Sequence, residues 1–202
     1  MGQTTRPETA GASAQDILDF WIDETGVDKW YVTDDALDAA IRNRFEALWT
    51  RVMRGGALGW HPTPANMLAA IILFDQFPRN MFRADPRAYA SDALARAKAK
   101  HAIDMDWDRR IDGPQRQFFY LPLMHSECLA DQDRCVRLFK DRMPEAADNL
   151  IHARAHREVI RRFGRFPHRN SDLGRDSTAA ERAFVETEGG YGAMVNALRA
   201  AA

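Results

Sequence analysis

The sequence predicts an all-α protein, and three observations carry that reading. Apolar residues recur at spacings of three and four, no segment alternates with the period of two that a half-buried strand needs, and helix-starting and helix-stopping residues punctuate the chain throughout. With 202 residues and 46% hydrophobic content, the chain can bury a sizeable core and reads as a single helical domain over residues 13–202. Residues 1–12 are small and polar without periodicity and read as a disordered tail. The rest accommodates about eight or nine helices.

Ser13-Ala14-Gln15-Asp16 has the form of a capping box, in which hydroxyl and carboxylate each accept a backbone N–H of the first turn. It opens a helix bearing Ile17, Leu18, Phe20 and Trp21, which stops near Gly26. Trp30 and Tyr31 follow in a loop, where large aromatics are expected to fold back on the core as anchors. Asp34 or Asp35 caps a long amphipathic helix with Leu37, Ile41, Phe45, Leu48 and Val52 on its apolar face, closed by Gly55-Gly56. Thr63-Pro64 pairs an N-cap with proline in the first turn and opens residues 67–74, which are apolar on every side and form the expected central buried helix. Asp85-Pro86 repeats the device for an alanine-rich helix through Tyr89, Ala93 and Leu94 to about His101.

Pro122 must start a helix or kink one, and a break is expected there. A helix with Leu129, Val136 and Phe139 follows, and Pro144 opens another with Ala147, Ile151, Ala155, Val159 and Phe163 that terminates at Gly164. Thr178-Ala179-Ala180-Glu181 is a second capping box, and Gly189-Gly190 is expected to end the last helix.

The charge balance of 28 Lys and Arg against 29 Asp and Glu argues against a dedicated nucleic-acid or membrane-surface protein, which needs an excess of one sign. The longest apolar run, residues 67–74, is too short to cross a bilayer. Cys128 and Cys135 lie seven apart in what reads as one helix, too far for a disulfide, and are expected to be core thiols. With no cysteine framework and no charged-then-apolar leader, the expected compartment is the cytoplasm.

One phrase occurs twice. Phe74-Asp75-Gln76-Phe77-Pro78-Arg79-Asn80 returns as Phe163-Gly164-Arg165-Phe166-Pro167-His168-Arg169-Asn170, with one residue more between proline and asparagine. Proline disfavours the α region for the residue before it, so both helices are expected to stop at the second phenylalanine and to leave the arginine and asparagine on a short loop. These segments, with His125-Ser126-Glu127 and Leu173-Gly174-Arg175, resemble the signature segments of the bacterial family catalogued as "domain of unknown function 924", over a stretch from about Ile17 to Tyr191. The resemblance implies a tetratricopeptide-like fold of stacked antiparallel helix pairs, and no established activity. A period of about 34 residues is absent, so regular repeats are not expected. The family pattern supports His156 but not His152, and Cys128 stands where an acidic residue would be expected.

The two phrases and the His-Ser-Glu segment supply the candidate site. Asp75, His125, Glu127 and His168 can move protons; Arg79, Arg165, Arg169 and Arg175 suit carboxylate or phosphate; Gln76, Asn80 and Asn170 can fix polar groups of a ligand. Residues 154–175 hold seven arginines against only Glu158 and Asp172. His152 and His156 share a helical face at a spacing of four, but no glutamate stands between them as in a metalloprotease helix, so neither a metal nor another cofactor is expected. The leading expectation is a polar cleft for a small anionic molecule, with acid-base catalysis by His125, Glu127 or Asp75. The alternative is a helical scaffold for a protein or peptide, in which the repeated phrase is an internal brace. Oligomeric state does not follow from the sequence.

Overall fold

The computed structural model describes residues 11–201. Most of the expected tail lies outside the described residues. Among those described, every regular element is helical and no helix is long and apolar enough to cross a membrane. α1 (Ala14–Leu18) continues into a π-helical turn (Asp19–Thr25), followed by α2 (Asp35–Met53). α3 (Pro64–Ile71) passes through a second π turn (Ile72–Gln76) into α4 (Phe77–Met81), and α5 (Asp92–Asp104) follows a 3-10 turn at Pro86–Tyr89. After 3-10 turns at Asp108–Arg110 and Pro114–Phe119 come α6 (Leu121–Met124), α7 (Leu129–Arg142) and α8 (Ala147–Phe163). A 3-10 turn at Pro167–Arg169 leads to α9 (Ala179–Glu186) and α10 (Gly190–Ala200).

Local chemistry sets most of these boundaries. Ser13 and Thr178 both form complete capping boxes. Asp34 accepts the Ala36 and Leu37 amides, and Thr63 accepts that of Asn66 with Pro64 in the first turn. Gly26, Gly55 and Gly164 take positive φ where helices end, a region closed to most side chains.

The core gathers around α3 and the π turn after it, where residues 68–78 are all buried. Phe77 stacks on Phe45 at 4.7 Å and meets Phe20 and Trp21 edge-on at 6.1 and 5.5 Å. A smaller cluster of Val159, Ile160, Phe166 and Phe184, with Phe163, Tyr191 and Met194 against it, fastens α9 and α10 onto α8.

Four expectations are corrected. The helix does not stop at Phe77; it runs through Pro78 to Met81, so Arg79 and Asn80 are helical. The π turn explains this, because the Phe77 amide bonds to Ile72, five residues back, and the wider turn gives the proline ring room. The Phe74 carbonyl, which an α-helix would pair with the donor that Pro78 lacks, instead accepts the Ser91 hydroxyl at 2.7 Å. Trp49 Nε1 in turn donates to Ser91 Oγ at 3.0 Å. Asp85-Pro86 caps only the 3-10 turn, and the helix proper begins at Asp92. Pro122 stands, as expected, at a break: the 3-10 turn closes at Phe119 and a new short helix begins at Leu121. Gly189-Gly190 begins α10: Gly189 is its N-cap with φ 74°. Cys128 is an exposed residue at the N-cap of α7, whereas Cys135 is buried as expected.

Candidate functional site

A cavity of about 500 Å³ opens where four parts of the chain converge. The loop after the first π turn contributes Trp30 to Thr33; the π turn and α4 contribute Gln76, Arg79 and Asn80; the end of α6 contributes Met124 and His125; α8 contributes Asp148, Asn149, His152 and His156.

Asp75 lies behind this surface, fully buried on the π turn. Its Oδ1 is 2.8 Å from His125 Nδ1, and Gln76 Nε2 donates to Oδ2 at 2.5 Å. Burial alone would raise this carboxyl, but the neighbouring His125, then the Arg79 charge and the hydrogen bonds from His125 and Gln76, outweigh it and hold the pKa at about 2. The ionised carboxylate can only accept, so Nδ1 of a neutral His125 carries the proton and Nε2 keeps its lone pair. That Nε2 has no partner among the described residues and is not shut away from solvent, so it is reached from the cavity. Burial, then the Arg79 charge, lowers the His125 pKa and keeps the ring neutral.

His125 is held by the turn that precedes α7. Its amide donates to Leu121 O at 2.9 Å. The Gln132 amide donates to the carbonyls of Met124 and Ser126 at 2.6 and 2.7 Å, while Ser126 Oγ donates to Asp131 at 2.8 Å. Ser126 is therefore a structural hydroxyl, not a nucleophile beside His125.

The arginines of the two phrases meet on one carboxylate. Arg79 donates to both oxygens of Asp92 at 3.0 and 3.1 Å and to the Asp75 carbonyl at 2.5 Å. Arg169 Nη1 reaches the same Asp92 at 3.4 Å. Both guanidinium groups lie over Tyr89, Arg169 at 4.8 Å from the ring centre and Arg79 at 5.9 Å. The asparagines diverge: Asn80 donates to Asp38 at 2.8 Å, whereas Asn170 donates to Ser177 Oγ at 3.0 Å.

The remaining expected residues stand outside the cavity lining. Glu127 accepts two bonds from Arg175 at 2.8 and 3.0 Å and the Phe166 amide at 2.8 Å. Arg165 grips Glu181 at 2.5 and 2.8 Å. His168 is an exposed side chain against the Phe166 ring. These contacts fasten the second phrase to its surroundings.

Several lining or supporting groups escaped the sequence reading, Arg83 and Asp148 among them. Tyr31 is no core anchor: it is 63% exposed and stands at the cavity mouth, its hydroxyl donating to Gln117 Oε1. Asn149 Nδ2 donates to that same oxygen at 2.8 Å. Trp30 does anchor, with its indole N–H on Trp21 O at 2.8 Å and its ring 4.7 Å from Phe118. Tyr191 on α10 touches both His152 and His156, at 2.6 and 3.0 Å. Those histidines are partly buried and line the cavity. Among the described residues, no three His, Cys, Asp or Glu side chains converge as a metal set.

The sequence matches a family model described as "Bacterial protein of unknown function (DUF924)" over residues 17–189. No curated protein matches it. The fold is similar to the solved structure of a protein of unknown function from Agrobacterium tumefaciens, with a TM-score of 0.79 and 42% identity, over 86% of this chain and 96% of the other.

Proposed function

The chain belongs to the DUF924 family of bacterial proteins of unknown function, and on that footing we propose that its cavity is the active site for a small anionic molecule, with His125 as general base. The observation that carries this reading is the Asp75–His125 pair, in which a buried carboxylate at 2.8 Å fixes the imidazole and leaves Nε2 facing the cavity. Such a base takes a proton from bound substrate, and the carboxylate behind it stabilises the imidazolium that results. Gln76 and Arg79 keep Asp75 ionised and so prepared for that charge.

Anion recognition falls to the arginine side of the cavity. Arg79 is committed to Asp92 and Asp75, whereas Arg83 spends Nε and Nη2 on Asp38 and has Nη1 without a partner among the described residues. A carboxylate or phosphate of the substrate placed at Arg83 would lie beside the positive end of this network. The cavity volume suits a metabolite-sized ligand better than a peptide. Two free thiols support action in a reducing compartment, the cytoplasm.

The test is a thermal-shift panel of small carboxylates and phosphates on the wild type and His125→Asn, followed by NMR of each stabilising compound for chemical change. A ligand at about 100 times its Kd adds about 2.7 kcal/mol, and the expected compound binds both proteins but is converted by the wild type alone. If no compound stabilises the wild type, or if His125→Asn converts it equally fast, the proposal fails.

A further inference from the structure

Tyr191, which the sequence reading left beyond the last expected helix, sits between two histidines whose proton positions one carbonyl determines. His156 Nδ1 lies 2.9 Å from the His152 carbonyl oxygen. A carbonyl cannot donate, so Nδ1 must carry the proton. The Tyr191 oxygen, 3.0 Å from the same Nδ1, therefore accepts from it and directs its own proton to His152 Nδ1 at 2.6 Å. Neutral His152 must then carry its proton on Nε2, which stands 3.4 Å from Asp148 Oδ2 at the exposed rim of the cavity. At the other end, His156 Nε2 has no partner among the described residues and is not shut away, so its lone pair is open to the cavity.

We infer that His156, Tyr191 and His152 form a proton relay from the cavity to Asp148, giving the site a second proton-accepting atom beside His125. This rests on the reading of the cavity as an active site. The rings of His125 and His156 are 6.2 Å apart, centre to centre, close enough for one bound molecule to meet both. In the forward direction a substrate proton bonds to His156 Nε2. The Nδ1 proton passes to the Tyr191 oxygen, the hydroxyl proton to His152 Nδ1, and the Nε2 proton of His152 to Asp148, which releases it to water. Both imidazoles end as the opposite neutral tautomers, the tyrosine is unchanged, and the substrate has lost one proton; run backwards, the chain returns one.

The surroundings favour transmission over storage. Burial, then the neighbouring His125, His168 and Arg169, holds the His156 pKa down to about 3, so the imidazolium is not a resting state and the Nδ1 proton leaves as the Nε2 proton arrives. Burial also raises the Tyr191 phenol and keeps it protonated. Asp148 is held ionised first by Arg199, whose Nη2 donates to it at 2.5 Å. Asp75 behind His125 is fully buried, and among the described residues its side chain meets only His125, Gln76 and Arg79, which separates the tasks of the two histidines.

The experiment is nitrogen-15 NMR of the imidazoles in unliganded wild type, Tyr191→Phe and Asp148→Asn. In the wild type His156 should be protonated on Nδ1 and His152 on Nε2. In Tyr191→Phe His152 should lose that preference while His156 keeps its own, and exchange of the His156 Nδ1 proton with water should slow about tenfold. Asp148→Asn, at an exposed position, should slow the same exchange with the tautomers kept, and it serves alone if Tyr191→Phe does not fold. A wild-type His156 protonated on Nε2, or exchange that is unaltered in the variants, overturns the relay. No ligand is present in this measurement, so failure of the compound panel and failure of the relay are read separately.

Discussion

The two Phe-Pro phrases use nearly the same letters in opposite settings. The first lies inside a continuous helix: Asp75 and Gln76 fall on a π turn, and Arg79 and Asn80 follow on α4. The second begins where α8 has ended, at a Gly164 with φ 70°, and Arg169 closes a 3-10 turn with Asn170 just beyond as its C-cap. The first copy delivers a carboxylate to His125 and three side chains to the cavity wall. The second spends its polar groups on Glu181, Asp92 and Ser177, and its backbone amide at Phe166 on Glu127. The lesson is that a short motif fixes neither conformation nor role; the donors and acceptors around it decide both.

The largest expected effect tests whether the first copy is the foundation of the site. Asp75→Ala leaves Gln76 and His125 without their acceptor and takes from Arg79 one of its two neighbouring carboxylates, and should cost about 3 to 5 kcal/mol in urea unfolding. A loss below about 1 kcal/mol would break the contrast.

Next comes the pair of arginines. Arg79→Ala leaves Asp92 with only the long Arg169 bond, bares the Asp75 carbonyl and should cost about 3 kcal/mol. Arg169→Ala removes one long bond and the stacking on Tyr89 and Phe166 but relieves repulsion with Arg79, and should cost about 1 kcal/mol. Equal losses would mean that the two copies brace the fold alike.

Acid unfolding should resolve the two sides by pH. His156, packed edge-on against Phe166 of the second copy at 5.5 Å, has a folded pKa of about 3 against 6.5 for the free group. The unfolded chain binds that proton first, so its contribution is present above pH 6.5 and is lost as pH falls toward 3. Asp75 has a folded pKa of about 2 against 3.8, so its contribution is complete above 3.8 and is lost only as pH falls through 2. In melting curves against pH, His156→Asn should reduce the slope of the upper window, to which His168 and His125 also contribute through their own lowered pKa values, and leave the lower one; a change confined to the lower window would contradict the assignment.

The smallest effect concerns the prolines. Pro167→Ala should lose about 0.5 to 1 kcal/mol through a freer unfolded chain. Pro78→Ala should lose less, because the new amide can reach the Phe74 carbonyl now served by Ser91. A larger loss at Pro78, measured in the same urea series, would show that the proline itself maintains the first copy.

What the sequence showed was what neighbours in the chain decide. The caps at Ser13, Asp34, Thr63 and Thr178 and the all-apolar stretch before Phe74 are local chemistry and were legible. His125 and Asp75 were legible as polar groups in unusual places, but their contact spans 50 positions and their pairing was not. The arginine partners were hidden for the same reason: Arg169 finds Asp92 across 77 positions and Arg175 finds Glu127 across 48. α10 was missed because its N-cap is a left-handed glycine with no polar side chain, so the residue that starts the helix carries the mark of one that ends it. With α10 went Tyr191.

The π turn at Ile72–Gln76 amounts to an α-helix carrying one residue too many. Deleting any one of the five would restore the shorter hydrogen-bond register, draw α4 back by about 1.5 Å and rotate it by about 100°. Arg79 and Asn80 would leave Asp92 and Asp38, and the Pro78 ring would again press on the carbonyl one turn before it. The arrangement thus depends on a count as much as on chemistry: an in-frame loss of a single codon, with every named side chain except one still encoded, is enough to take the floor away from His125.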